Sequence, residues 1–163
     1  DVYKRQGMRE FAYVSAEESC YLNHDERQEG FLGGLKQCGI TQCMIQAGDY
    51  SYESGYRAGD RIFASGLPVE AIFCANDLMA LGVMDCGRLK YKYVPGEDYS
   101  IMGLDDTFAA SLRSYSLTVL QQQNDILCKE AVRVLIENME NPEMPPETVA
   151  VPMQLIVRNT VRH

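Results

Sequence analysis

Apolar residues along the chain fall into two alternating kinds of run. Short, nearly continuous runs of strand length occupy residues 10–15, 42–46, 71–75, 99–104 and 117–120. Continuous runs of this kind suit strands buried on both faces of a parallel sheet. Longer stretches at 23–37, 52–64, 77–88 and 124–138 space their apolar positions three and four apart, which suits helices. A last stretch, 148–157, alternates in part and predicts a closing strand. Strands alternating with helices predict α/β architecture. The expected form is a parallel three-layer α/β/α sheet with right-handed crossovers and helices on both faces.

Capping chemistry sharpens the helices. Asn23 can cap the first, Asp25 and Glu26 suit its positive end, and Gly39 marks its stop. Met79, Val83 and Cys86 form the regular stripe of the helix at 77–88, as core positions. The helix at 124–138 carries the strongest stripe: Cys128, Ala131, Val132, Leu135, Ile136 and Met139. Asn141-Pro142 ends it. Residues 1–6 are polar and are set aside as an unassigned leader.

The polar residues that interrupt this pattern are the candidate chemistry. Asn76 and Asp77 follow the apolar run 71–75 directly. In an open α/β sheet, ligands bind outside the carboxyl ends of strands. An amide and a carboxylate there can serve a hydroxyl-rich ligand, or Asn76 can simply cap the next helix; both roles can coexist. Asp105-Asp106 stands at the end of the run 99–104. Neighbouring residues on a strand point in opposite directions, so the two make a poor bidentate pair for a metal or for acid–base work. Arg27 sits among Asp25, Glu26 and Glu29, where the plain reading is a solvated ion-pair residue.

Composition narrows the classes. The 163 residues suit one domain, and 46% hydrophobic content supports a sizeable core. A net charge of −8 argues against this segment gripping DNA, which needs a basic patch. No apolar run approaches the roughly 20 residues that span a bilayer. There is no signal-peptide pattern. Cysteines at 20, 38, 43, 74, 86 and 128 form no Cys-x-x-Cys pair. They read as reduced thiols of a cytoplasmic protein, with Cys74, Cys86 and Cys128 on apolar faces. His24 and His163 lack partners at ligand spacing, so no metal site is expected. There is no internal repeat, phosphate-binding glycine loop or nucleophile elbow.

Several segments carry a resemblance. Ala75-Asn76-Asp77-Leu78-Met79-Ala80-Leu81-Gly82 and Val94-Pro95-Gly96-Glu97-Asp98-Tyr99-Ser100-Ile101-Met102-Gly103-Leu104-Asp105-Asp106 resemble the effector-binding domain of the lactose/galactose-repressor (LacI/GalR) family of bacterial transcription regulators. Gly7 to Val14, Arg27-Gln28-Glu29-Gly30-Phe31, Gly48-Asp49-Tyr50 and the closing Val151 to Thr160 are similar to further family segments. The resemblance implies the periplasmic-binding-protein-like fold. It implies Arg27, Asn76 and Asp105 as polar contacts to a sugar or sugar-derived effector, with Asp77 in support and Asp106 as a supporting or capping residue. Tyr50 becomes an aromatic platform for a pyranose face, against the alternative of a turn tyrosine that packs locally. Gln122 is a further contact, although Val119-Leu120-Gln121-Gln122 departs from the family pattern and leaves open which glutamine lines the cleft.

The resemblance also implies a division. Residues 7–120 and 149–163 form the C-terminal lobe of the effector domain, while 121–148, a crossover helix and loop, belong to the N-terminal lobe. Most of that lobe and the DNA-binding segment have no counterpart in these residues. The chain is therefore expected to be a fragment whose helix stripe lacks its cover. No catalytic residue and no cofactor are implied. DNA would be bound only through a missing N-terminal domain, the full-length protein would be a homodimer, and no membrane is involved. The alternative from another class is the sugar-binding protein of an ABC-type transporter, which shares the fold.

Overall fold

A computed structural model describes residues 9–16 and 26–162. The polar leader, the Asn23 cap, Asp25, Cys20, His24 and His163 lie outside the described residues. The chain runs β1 (Phe11–Ala16), α1 (Glu26–Gln37), β2 (Met44–Gly48), α2 (Tyr52–Ala64), β3 (Ala71–Cys74), α3 (Asp77–Cys86), a π turn (Gly87–Tyr91), β4 (Ser100–Leu104), α4 (Phe108–Ser111), β5 (Thr118–Gln121), α5 (Asn124–Glu140) and β6 (Gln154–Ile156). The strands form one sheet in the order β2-β1-β3-β4-β5-β6.

The first five strands are parallel, as expected, but β6 runs antiparallel to β5, pairing Val119 with Ile156 and Gln121 with Gln154. The chain leaves the sheet at the end of β5 and re-enters at the same end, where the Gln123 side-chain amide donates to the Pro152 carbonyl at 2.7 Å. A strand that re-enters there can only run back. β6 is also much shorter than the stretch 148–157. β2 lies two residues later than expected, because β1 offers partners as far as Ala16 and Gly48 is small enough to sit beneath Met79. α4 is a single turn that the apolar pattern did not announce.

Side-chain alternation along the strands separates two faces. Phe11, Tyr13 and Phe73 stack around Phe31 of α1 on one face, with ring centroids 5.1–6.4 Å apart. α2 and α3 cover the other face. They approach so closely that a Cβ on Gly82 would collide with the Tyr52 carbonyl oxygen, and one on Gly55 with the Met79 backbone. Most of α3 is buried, beyond the single stripe expected of it. At its end, Gly87 leaves room for the Tyr99 hydroxyl and the Phe63 ring.

α5 differs from every other long helix. None of its 17 residues is buried, and Leu135 and Met139 of its apolar stripe are 59% and 72% exposed. Cys128, expected on an apolar face, is exposed with it, whereas Cys74 and Cys86 are buried. Beside α1, the first sheet face stays open over β4, β5 and β6. The result is a groove of about 650 Å³ lined by Phe31, Phe73, Met102, Leu104, Leu120 and Leu155 among others. Among the described residues, no helix is long and apolar enough to cross a membrane.

Two substitutions separate the packed and unpacked helices. Gly82→Ala forces α2 and α3 apart, and the overpacking, about 3 kcal/mol at the upper end of its range, exceeds the roughly 1 kcal/mol gained from better helix propensity. Leu135→Ala lies on exposed surface and, at concentrations where the chain is monomeric, should change stability by less than about 0.5 kcal/mol. Urea denaturation followed by circular dichroism measures both; equal losses would contradict the packing described.

Candidate functional site

The polar residues gather at the carboxyl ends of β3, β4 and β5, with one contribution from α1 and one from the turn after β2. Asn76 follows β3 in extended conformation and caps α3, its Oδ1 accepting from the Met79 amide at 2.9 Å. Its Nδ2 donates to the Tyr50 carbonyl, also at 2.9 Å. The capping role is therefore present, and the amide keeps a second N–H and a second lone pair for another partner.

Tyr50 is held in a left-handed backbone conformation, φ 65°. The turn around it explains why. Asp49 accepts from the Ser51 amide, Ser51 caps α2 by accepting from Ser54, and the Ser54 hydroxyl receives the Asp49 amide. These serine hydrogen bonds hold the Asp49 carboxyl down at about 2. Tyr50 is 39% exposed, and the Arg27 guanidinium lies 5.9 Å from its ring centroid, within cation–π range. Arg27 also donates to the Ala75 carbonyl at 2.7 Å. It is thus turned toward the strand ends, unlike the solvated ion-pair residue suggested by its acidic neighbours. Arg27, Tyr50 and Asn76 make one connected group.

Asp105 and Asp106 follow β4, which pairs directly with β3. Both have positive φ, 119° and 62°, an uncommon conformation for side-chain-bearing residues. Each has its own partner. Gln122 donates to Asp105 at 2.7 Å, while Asp106 receives Gln121 at 2.9 Å and Arg158 at 2.6 Å. Gln122 therefore accompanies Asp105, and Gln121 accompanies Asp106. Arg158, which also donates to the Leu117 carbonyl, was quoted in the closing motif without a role. Its signal was a cation placed within the closing motif of an acidic chain. Asp106 does not cap α4; Thr107 occupies that position.

Asp77 is fully buried, and its Oδ2 accepts from the Thr107 amide at 2.7 Å. Burial pushes its carboxyl up to about 6; the Thr107 bonds oppose this, and the charges of Asp105 and Asp106 add to it. Among the described residues, no group of three or more His, Cys, Asp or Glu side chains could hold a metal ion. The apolar groove on the sheet face touches this polar set only at Arg27 and borders it at Leu104 and Leu120.

Known proteins resemble this chain in sequence and in fold. The periplasmic binding protein-like domain matches residues 1–161. The transcriptional repressor PurR of Mannheimia succiniciproducens is 28% identical over 158 residues, 96% of this chain and 47% of that protein. The repressor CytR of Escherichia coli is 28% identical over 96% of this chain and 46% of its own length. The chain thus spans about half the length of the curated relatives it matches. A LacI-family repressor structure from Corynebacterium glutamicum superposes with a TM-score of 0.80 at 31% identity, covering 95% of this chain and 58% of that one. A LacI-family regulator of Arthrobacter sp. FB24, solved in complex with lactose, gives 0.82 at 20% identity, over 98% and 59% of the two chains; at that identity the likeness is one of fold. Matched over nearly its whole length, the chain belongs to the periplasmic binding protein-like domain family, as a homologue of the PurR and CytR repressors and of LacI-family regulators.

Proposed function

We propose that the chain is the effector-sensing part of a LacI/GalR-type transcription regulator, and that the effector is a sugar or sugar derivative. The observation that carries this is the convergence of Arg27, Tyr50, Asn76, Asp105 and Gln122 on neighbouring strand ends. The guanidinium fork and the carboxylate present several donors and acceptors to vicinal hydroxyls. The half-exposed Tyr50 ring presents an apolar face to sugar C–H groups. Asp77 and Asp106 support the set from behind. No bond is made or broken in this reading: the effector shifts a two-state equilibrium that an attached DNA-binding domain reports. The regulator is cytoplasmic and dimeric. DNA contact belongs to a separate domain, in keeping with the net charge of −8 here. The matched repressors favour this over delivery of a sugar to an ABC-type transporter.

The same reading divides the chain into two lobes. Residues 121–148 belong with an N-terminal lobe, and residues 7–120 and 149–163 form the C-terminal lobe. The exposed stripe of α5 supports this, since burying each large apolar side chain is worth roughly 1.5–3 kcal/mol and several stand uncovered. In the regulator the effector then sits between the lobes, with this chain supplying one wall.

Asp105→Ala should weaken sugar binding by about 2–4 kcal/mol, the cost of truncating one partner of a desolvated polar contact. Arg27→Lys should weaken it as well, because a point charge does not replace the fork. Calorimetric titration of a monosaccharide and disaccharide panel into a chain that carries upstream sequence measures both. A sugar that binds equally well to Asp105→Ala would remove that residue from the site.

The lobe division has its own test. The 163-residue chain should self-associate in sedimentation velocity through the α5 stripe, and upstream sequence should convert it to a discrete, sugar-responsive species. A stable monomer that binds a sugar at micromolar affinity without upstream sequence contradicts the division.

A further inference from the structure

Asp77 occupies an unusual position behind the candidate site. It opens α3 directly after Asn76, and its side chain is fully buried. Oδ2 accepts the Thr107 amide at 2.7 Å, while Oδ1 is buried with no hydrogen-bond partner. β4 passes so close that a Cβ on Gly103 would lie 2.5 Å from Oδ1. Thr107 is the residue after Asp105-Asp106. The near end of this two-residue segment is fixed by the Asp105 amide, which donates to the Leu120 carbonyl at 3.0 Å. The far end is fixed by Asp77. Between these anchors both backbones have positive φ, which they would not keep unaided. α4 is only four residues long, and the Thr107 side chain makes no cap bond to steady it.

The surroundings of Asp77 are acidic or neutral. Asp105 and Asp106 face it from the end of β4, and the buried Cys74 thiol faces it from β3. α2 presents Gly55 against Met79, together with Tyr52, whose hydroxyl is committed to Asp85 further along α3. Arg158 pairs with Asp106 rather than with Asp77.

We propose that Asp77 is a positioning residue of the effector site and acts as a proton-dependent anchor. Ionised, its carboxylate grips the Thr107 amide and fixes Asp105 toward the ligand; protonated on Oδ1, it holds the amide more weakly. This rests on the reading of Asp105 as an effector contact. A hydrogen bond to an ionised acceptor is roughly twice as strong as one between neutral groups. Burial places the titration near pH 6 rather than at the ordinary 3.8.

The sign for global stability is the opposite one. A carboxyl whose pKa is raised on folding binds its proton more tightly in the folded state. This group therefore adds stability below its folded pKa, and that contribution is lost as pH rises from about 3.8 through about 6. A looser loop at pH 5 is accordingly not the onset of unfolding through Asp77.

The test is nitrogen-detected NMR of the labelled chain between pH 5 and 7.5. The Thr107 amide should titrate with a midpoint of about 6, and its hydrogen-exchange protection, corrected for intrinsic rate, should fall several-fold on the acid side. Asp77→Asn, which keeps the shape and a neutral acceptor, should abolish the titration. Carbon-detected titration of the Asp77 carboxyl should give the same midpoint without any substitution. In a chain carrying upstream sequence, the affinity for whichever of lactose, cellobiose and ribose binds should fall about three- to tenfold from pH 7.5 to 5. With Asp77→Asn it should be flat. A Thr107 amide that does not titrate, or that titrates unchanged in Asp77→Asn, overturns the anchor. If Thr107 titrates but no sugar of the wider monosaccharide and disaccharide panel binds at any pH, the anchor stands and the sugar reading beneath it falls.

Discussion

Backbone contact between α2 and α3 sets the geometry on which the site depends. Gly55 and Gly82 let the two helices meet without side chains between them. That contact brings the start of α3 beside the turn after β2. Only then can the Asn76 amide span from the Met79 amide to the Tyr50 carbonyl. Met79 in turn packs on Gly48, at the end of β2. A tight helix pair on one face of the sheet thus decides where an aromatic ring and an amide stand at its end.

Charge is managed residue by residue at these strand ends. Three carboxylates lie close together in a chain with an excess of acid. Asp106 receives a cation and an amide, Asp105 receives one amide, and Asp77 receives one backbone N–H. Asp77, with a single backbone donor, is also the most deeply buried of the three, and that burial raises its pKa. Asp105, with a single amide partner, retains lone pairs for hydroxyl donors.

Much of this was legible in the residues. Parallel strands buried on both faces read as apolar runs, so β1, β3 and β4 were placed to within a residue or so. The helix expected at 52–64 matches α2 at both ends. The direction of β6 was not legible, because a strand's orientation depends on which end of the sheet the chain re-enters, and local composition does not record that. Nor was the partnership of Gln121 with Asp106 and Gln122 with Asp105, which depends on the register of β4 against β5. Asn76 could be read either way because a cap and a ligand contact ask for the same amide. The stripe of α5 was read correctly as a pattern, yet no pattern says whether its cover lies within the same span of chain.

The left-handed backbones at Tyr50, Asp105 and Asp106 have a consequence beyond geometry. Holding a side-chain-bearing residue there costs on the order of 1–3 kcal/mol, and glycine would relieve most of it. At Asp106 the ion pair with Arg158, and at Asp105 the hydrogen bond from Gln122, return part of that cost within the fold, whereas the half-exposed Tyr50 returns little. In a duplicated gene copy that no longer senses anything, Tyr50 should be among the first residues to drift toward glycine or asparagine. Where Tyr50 serves a ligand, its persistence in a lineage is a clock of function.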